Sequence, residues 1–294
     1  MQQPPFLFSK FPFRMKITTT EFQLLRDYIE EQCGICLNKD KAYLLENRLS
    51  SLIESYKCKD FSEFYYIVKS GQHKDLKDRL VDAMTTNETL WFRDLHPYSI
   101  LREKILPSFA QAVKDGKKAQ INIWSAASST GQEPYSLAMT VRDFCMGQNI
   151  IKREMVKIIA TDISDSCLAK AKLGKYDSVA MSRGVTPEQL NRYFVKDSSN
   201  SYTINQEIRD MVKFQKFNLQ DNPIILEPHF DLIFMRYVAI YFNDEFKKGL
   251  YSRLARMLIP KGFLVVGAVE TLRGVSEDFE LLSHSGGLYY QCKR

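Results

Sequence analysis

The chain has 294 residues, enough to bury one large core or two smaller ones. A 45% hydrophobic and 26% charged composition is that of an ordinary soluble globular protein rather than a disordered or fibrous one. The net charge of +6 suits an acidic partner surface but is too small to argue for nucleic acid, and no apolar run approaches the roughly 20 residues of a membrane span.

The first residues, "MQQPPFLFSKFPFRMK", lack a basic start ahead of a continuous apolar run, so they read as a flexible leader and not a signal peptide. Residues 17–84 then read as a small helical domain. "TTTEFQLLRDYIEEQ" sets a Thr cap before an apolar repeat at Phe22, Leu25, Tyr28 and Ile29. "KAYLLENRLSSLIESYK" repeats Leu44, Leu45, Leu49, Leu52 and Ile53, and "DFSEFYYIVKSG" and "HKDLKDRLVDAMTT" read as two shorter helices. Lys39, Lys41, Arg48, Lys57 and Lys59 lie on or near the second helix, as a solvated face or as a docking surface for an acidic helix.

Residues 85–99 read as a linker, and the pattern changes from about residue 100. Apolar runs ("INIWSA", "VKIIATDI", "FDLIFMRYV", "GFLVVGAVE") alternate with helical stretches ("EPYSLAMTVRDFCM", "SDSCLAKAKLG", "DEFKKGLYSRLARML"). That rhythm predicts an α/β domain over 100–294, a doubly wound, mostly parallel sheet covered on both faces. "SYTINQEI" and "MVKFQKFN" alternate with period two, which predicts an inserted antiparallel β-subdomain at about 192–217. "GGLYYQCKR" is expected to form a final edge strand.

Six cysteines are scattered along the chain, and only "CGIC" (Cys33–Cys36) has a spacing suited to redox or zinc chemistry. No second such pair exists and the four histidines lack ligand spacing, so no metal site is expected. Scattered thiols without a disulfide framework point to a reducing, cytoplasmic compartment.

"SAASSTGQEPYS" (Ser125–Ser136) joins a predicted strand to a predicted helix, where doubly wound folds place a cofactor. It has a single glycine, Gly131, and no phosphate-cradling pattern. A ligand without phosphate, such as S-adenosylmethionine, needs only one glycine for clearance. Glu133 suits its amino group, an arginine elsewhere its carboxylate, and Asp162, at the tip of the second strand, its ribose. Local roles compete with these: Asp162 as a helix cap, Glu133 as a first-turn carboxylate, Arg236 as a buried charge paired to a nearby acid.

"TTNETLWFRD" (Thr85–Asp94), "WSAASSTGQEPYSLAM" (Trp124–Met139), "ATDIS" (Ala160–Ser164) and "MRYVAIYF" (Met235–Phe242) together resemble the ordered motifs of the chemotaxis receptor methyltransferases, the CheR family. The likeness runs from about residue 17 to 294. It implies methyl transfer from S-adenosylmethionine to glutamates on the cytoplasmic helical domain of chemoreceptors, with S-adenosylhomocysteine as product. It also implies site roles. Asn87, Thr89 and Arg93 would line the cofactor pocket, with Arg93 near the reacting end on a linker able to close over the cofactor. Glu133 would hold the methionyl part, Asp162 the ribose, and Asn218 and Leu219 the adenine side. Arg236 and Tyr241 would lie near the transferred methyl group and the incoming glutamate, Arg236 and Tyr237 would also bind the cofactor, and Arg93 and Tyr241 would be the catalytic pair.

Two positions depart from the family pattern. Tyr237 stands where Asn is usual, and "GAVE" (Gly267–Glu270) replaces Gly-His-Ser-Glu. A cofactor sensor or scaffold in a chemosensory pathway is therefore the alternative, and a methyltransferase for another protein or a small molecule a third reading. The short, glycine-free "VKDSSN" turn predicts no tether to a receptor's tail peptide. The remaining expectations are a monomer that binds no nucleic acid and does not insert into membranes.

Overall fold

The computed structural model describes residues 15–222, 226 and 229–294, so all but Met15 and Lys16 of the expected leader lie outside the described residues. Two compact units separate: described residues up to Gln32 with Cys36–Met84, and Cys33–Ile35 with Thr85–Arg294.

The first unit is helical: α1 (Thr19–Cys33), α2 (Ala42–Ser55), α3 (Phe61–Ser70) and α4 (Leu76–Met84). The Thr cap is Thr18, whose Oγ1 accepts the Glu21 N–H at 3.3 Å while the Glu21 carboxylate accepts the Thr18 N–H at 2.8 Å, a reciprocal capping box. Asp60 caps α3 in turn, accepting the Glu63 N–H at 2.8 Å. The repeat residues Leu25, Ile29, Leu45, Leu49 and Ile53 are buried, together with Phe61, Phe64 and Leu80. Of the basic set, Arg48 turns inward to the Met84 carbonyl, whereas Lys39, Lys57 and Lys59 are exposed.

Among its described residues the second unit carries ten strands: β1 (Ile121–Ala126), β2 (Val156–Asp162), β3 (Lys175–Tyr176), β4 (Phe194–Lys196), β5 (Tyr202–Ile204), β6 (Val212–Lys216), β7 (Phe230–Met235), β8 (Leu258–Val265), β9 (Phe279–His284) and β10 (Gly287–Cys292). Its helices are α5 (His96–Ile100), α6 (Leu106–Lys114), α7 (Gln132–Met146), α8 (Asp165–Leu173), α9 (Ser178–Met181), α10 (Pro187–Tyr193), α11 (Gln206–Arg209) and α12 (Asp244–Met257). The main sheet runs, among the described residues, in the order β6-β2-β1-β7-β8-β10-β9. The five from β6 to β8 are parallel, while β10 runs antiparallel to both of its neighbours. Alternate residues feed two cores. Ile121, Ile123, Leu232 and Phe234 join one, and Trp124, Ala126, Ile233 and Met235 the other. Burial on both faces is why these strands read as continuous apolar runs.

Two expectations need correction. An antiparallel subdomain is present, but its order is β3-β5-β4 and it spans Lys175–Ile204, not 192–217. "MVKFQKFN" instead forms β6, parallel to β2 with Ile158 opposite Val212 and Asp162 opposite Lys216, and part of "SYTINQEI" forms α11. An edge strand with one wetter face, here carrying the exposed Lys213 and the half-buried Gln215, alternates just as a hairpin does, so period two could not tell them apart. Likewise β10 is not the edge strand. It is flanked by β8 and by β9, whose exposed Glu280 and Leu281 blur any alternation.

Candidate functional site

Parallel strands leave their carboxyl ends along one edge of a sheet, and the loops there form a crevice. In the second unit that crevice is a cleft lined by the ends of β1, β2, β6 and β7, by residues 85–90 and Arg93, and by Cys33 and Ile35. The candidate catalytic and cofactor residues all line it: Asn87, Thr89, Arg93, Glu133, Asp162, Asn218, Leu219, Arg236, Tyr237 and Tyr241.

The loop after β1 is built around Asp162. Its Oδ2 accepts the Ser129 N–H at 2.7 Å and its Oδ1 the Ser164 N–H at 2.9 Å, and the residue is buried. The helix cap is Ser164, not Asp162, since the Ser164 hydroxyl accepts the Cys167 N–H at 3.1 Å. Ala127 and Ser129 both take left-handed backbone, with φ of +56° and +49°. Such residues cost about 1–3 kcal/mol each and persist only where the surroundings over-determine them. Here the Ser128 N–H to the Thr161 carbonyl and the Ser129 N–H to Asp162 do so. Ser129 Oγ also donates to the Asn87 carbonyl at 2.8 Å, tying residues 85–90 to this loop.

Gly131 has a different purpose from the expected one. A Cβ on it would meet Ala171 Cβ and Tyr176 Oη at 3.0 Å, in a backbone at φ +96°. It lets the start of α7 pack against α8, and it does not line the cleft.

Glu133 lies in the first turn of α7, buried in the lining. Its Oε1 accepts the Ser125 hydroxyl at 2.8 Å and its Oε2 accepts Arg236 Nη1 at 3.0 Å. Burial pushes its carboxyl above the usual carboxylate range, and Arg236 and Ser125 offset this only in part. Arg236, at the end of β7, donates from Nη2 to Asp94 Oδ2 at 2.6 Å and to the Arg93 carbonyl at 2.8 Å. Burial works against its charge, but Glu133, Tyr98 and Asp94 outweigh that and hold it protonated. Two acids thus share one buried cation, the local pairing weighed for Arg236 from the sequence.

Arg93 is half-buried. Its guanidinium carbon lies 3.7 Å from the Tyr237 ring centroid, and Nη1 donates to the Glu88 carbonyl at 3.2 Å. Tyr241 sits in the short turn Ala239–Tyr241 after β7, also half-buried. On the floor beyond β6, Asn218 Oδ1 accepts the Gln220 N–H at 3.1 Å, and Leu219 is buried beside Phe217.

Two organising residues carried no sequence expectation. Asp94 accepts the Tyr237 hydroxyl at 2.6 Å as well as Arg236. Glu270 takes three backbone N–H groups, from Gly267 and Tyr237 at 2.7 Å and from Ala239 at 3.0 Å, and so holds the loop after β7. The signal for Glu270 was its place in "GAVE", where the missing His drew attention instead.

The chemistry of the lining fits S-adenosylmethionine. Buried acids suit a cationic ligand with hydroxyls, and the apolar wall of Phe217, Leu219, Val238 and Phe242 suits an adenine. The loop offers no glycine cluster for a phosphate. No group of three or more His, Cys, Asp or Glu side chains among the described residues is arranged to hold a metal, and Cys33 and Cys36 are not joined by a disulfide.

Comparison with known proteins agrees with this chemistry. The description "CheR methyltransferase, SAM binding domain" matches residues 87–287, and "CheR methyltransferase, all-alpha domain" matches residues 20–85. The chain is 38% identical over 280 residues to "Chemotaxis protein methyltransferase Cher2" of Pseudomonas putida, covering 95% of this chain and 100% of that one. It is 39% identical over 279 residues to "Chemotaxis protein methyltransferase 1" of Pseudomonas aeruginosa, with the same coverage. A "Chemotaxis protein methyltransferase" of Vibrio parahaemolyticus is 39% identical over 277 residues, covering 94% of this chain and 98% of that one. A cleft suited to a cationic cofactor without phosphate and matches spanning nearly the whole chain lead to one conclusion: the chain belongs to the CheR family of S-adenosylmethionine-dependent chemotaxis methyltransferases.

Proposed function

We propose that the protein transfers a methyl group from S-adenosylmethionine to glutamate side chains on the cytoplasmic helical domain of chemoreceptors, forming glutamate methyl esters. One observation carries this reading: the cleft combines the buried acids Glu133 and Asp162 with a half-buried Arg93 and Tyr241. When bound, the cofactor supplies an electrophilic methyl carbon on a sulfonium. Glu133 would hold its amino group, Asp162 its ribose, and Asn218 and Leu219 its adenine side, with Asn87 and Thr89 completing the wall.

A glutamate with an ordinary pKa of about 4.3 is ionised near neutral pH, so its carboxylate needs no general base. The thiol in the lining could not serve as one, because burial pushes Cys33 up to about 11. What the chain must supply is orientation and partial desolvation. Arg93 spends one described hydrogen bond on the protein, to Glu88, which leaves donors for an incoming carboxylate. The Tyr241 hydroxyl is the second donor. Arg236 is engaged with Glu133, Asp94 and the Arg93 carbonyl, so it acts as a positioning residue.

The same reading extends to partners. The protein works in the cytoplasm as a monomer, without nucleic acid; among the described residues no helix is long and apolar enough to cross a membrane. It uses no receptor-tail tether. The β4–β5 turn is closed by its own Asp197, which accepts the Ser199 and Ser201 N–H groups at 2.9 and 3.0 Å. Micromolar binding of a receptor tail peptide would overturn that point.

Labelled methyl transfer to receptor-bearing membranes tests the function. Base-labile label is expected, and its rate of appearance should fall steeply in Arg93→Ala. A second reading, a sensor that binds cofactor without transferring the group, rests on Tyr237 standing where the family usually carries Asn. S-adenosylhomocysteine binding by calorimetry with no base-labile label would establish the sensor instead.

A further inference from the structure

We propose that Tyr237 is a positioning residue for Arg93: it is a platform that holds the guanidinium over the cleft, and not a direct contact of the cofactor. This deepens the reading above and rests on the role given there to Arg93.

Tyr237 is anchored at every end. Its backbone N–H donates to Glu270 Oε2 at 2.7 Å, and its hydroxyl donates to Asp94 Oδ2 at 2.6 Å. Its φ of +58° is a left-handed conformation that bulky residues rarely adopt. Gly267 leaves the ring its space, since a Cβ there would come within 3.1 Å of the ring carbons. Asp94 is fixed in turn by the buried Arg236. A side chain held this firmly in an unfavourable backbone points to a task for the ring itself.

That task is visible on the ring's face. The Arg93 guanidinium carbon lies 3.7 Å from the centroid, and Nη1 is held by the Glu88 carbonyl at 3.2 Å. An aromatic face attracts a guanidinium through its quadrupole while leaving the in-plane N–H donors free. The ring and the carbonyl together remove most of the rotamer freedom of a long side chain before substrate arrives. The remaining donors can then meet a carboxylate in a fixed orientation.

A double-mutant cycle tests this with Tyr237→Phe, Tyr237→Leu, Arg93→Ala and the Leu/Ala pair. The readouts are kcat/KM for receptor membranes and the Kd of S-adenosylhomocysteine. Tyr237→Phe keeps the face and should lose no more than about threefold in kcat/KM, whereas Tyr237→Leu should lose about tenfold. The Leu/Ala pair should be no worse than Arg93→Ala alone, and the Kd should stay within about threefold in both Tyr237 variants. If Tyr237→Leu does not fold, Tyr237→Asn, whose side chain suits a left-handed backbone, takes its place in the cycle. If the Leu/Ala pair transfers about tenfold more slowly than Arg93→Ala alone, or Tyr237→Leu transfers as well as the wild type, this inference alone is overturned. If Arg93→Ala transfers normally, the role of Arg93 falls and this inference with it.

Discussion

Arg236 and Glu133 stand 103 residues apart in the chain and meet as a buried ion pair, Nη1 to Oε2, at 3.0 Å. The same guanidinium reaches Asp94 at 2.6 Å. One cation therefore joins the end of β7, the first turn of α7 and the segment carrying Arg93. Removing one partner of a buried pair leaves an uncompensated charge, so Arg236→Ala should destabilise the protein by about 3–5 kcal/mol. A urea titration that shows a lower midpoint at unchanged slope is the expected result. A midpoint equal to wild type would mean that the pair is not buried in solution.

Asp162→Asn should weaken cofactor binding and loosen the loop after β1. Asparagine offers one carbonyl oxygen where the carboxylate serves both the Ser129 and Ser164 N–H groups. The ribose hydroxyls would also lose a charged acceptor, a hydrogen bond that contributes about 1.5–3 kcal/mol, so the Kd of S-adenosylhomocysteine should rise about tenfold or more. Calorimetry on the folded variant measures this directly.

Gly131→Ala separates packing from ligand clearance. Its Cβ would sit 3.0 Å from Ala171 Cβ in a left-handed backbone, a clash and a strain that together should cost about 1–3 kcal/mol. The melting temperature should fall while the S-adenosylhomocysteine Kd stays close to wild type. A loss of affinity at unchanged stability would restore the glycine to the ligand side.

Glu270→Gln tests the clamp on the loop after β7. Glutamine cannot accept at both of its terminal atoms, yet the Tyr237, Ala239 and Gly267 N–H groups all need an acceptor there. Amide exchange at Tyr237 and Ala239 should accelerate and transfer should slow about tenfold, with the N-terminal helical unit unaffected. Unchanged exchange at those two amides would remove Glu270 from the clamp.

Burial pushes the Cys33 thiol up to about 11, so its reactive thiolate becomes plentiful only as pH rises through that value. At pH 8 iodoacetamide should therefore label the exposed Cys36 and spare Cys33, as peptide mass mapping would show. Equal labelling at pH 8 would argue for an exposed, activated Cys33 and would reopen the redox reading of "CGIC".

The sequence by itself determined the residue types at the ends of the parallel strands, and hence the chemistry of the cleft. A strand–loop–helix rhythm sends every strand's carboxyl end to the same edge, so local pattern and order along the chain suffice to gather Asp162, Arg236 and the loop from Ser125 to Ser136. The capped helices of the first unit were legible for the same reason, since a cap and its N–H partner lie three residues apart. Only the tertiary structure decided which strand pairs with which, that Gly131 serves α8, and that Asp94 and Glu270 organise the loop bearing Tyr237. These are contacts between segments far apart in sequence, whose geometry depends on register and packing. One period-two pattern serves a hairpin or a sheet edge equally well, and one carboxylate serves a ligand or a backbone, until the fold brings the partner to it.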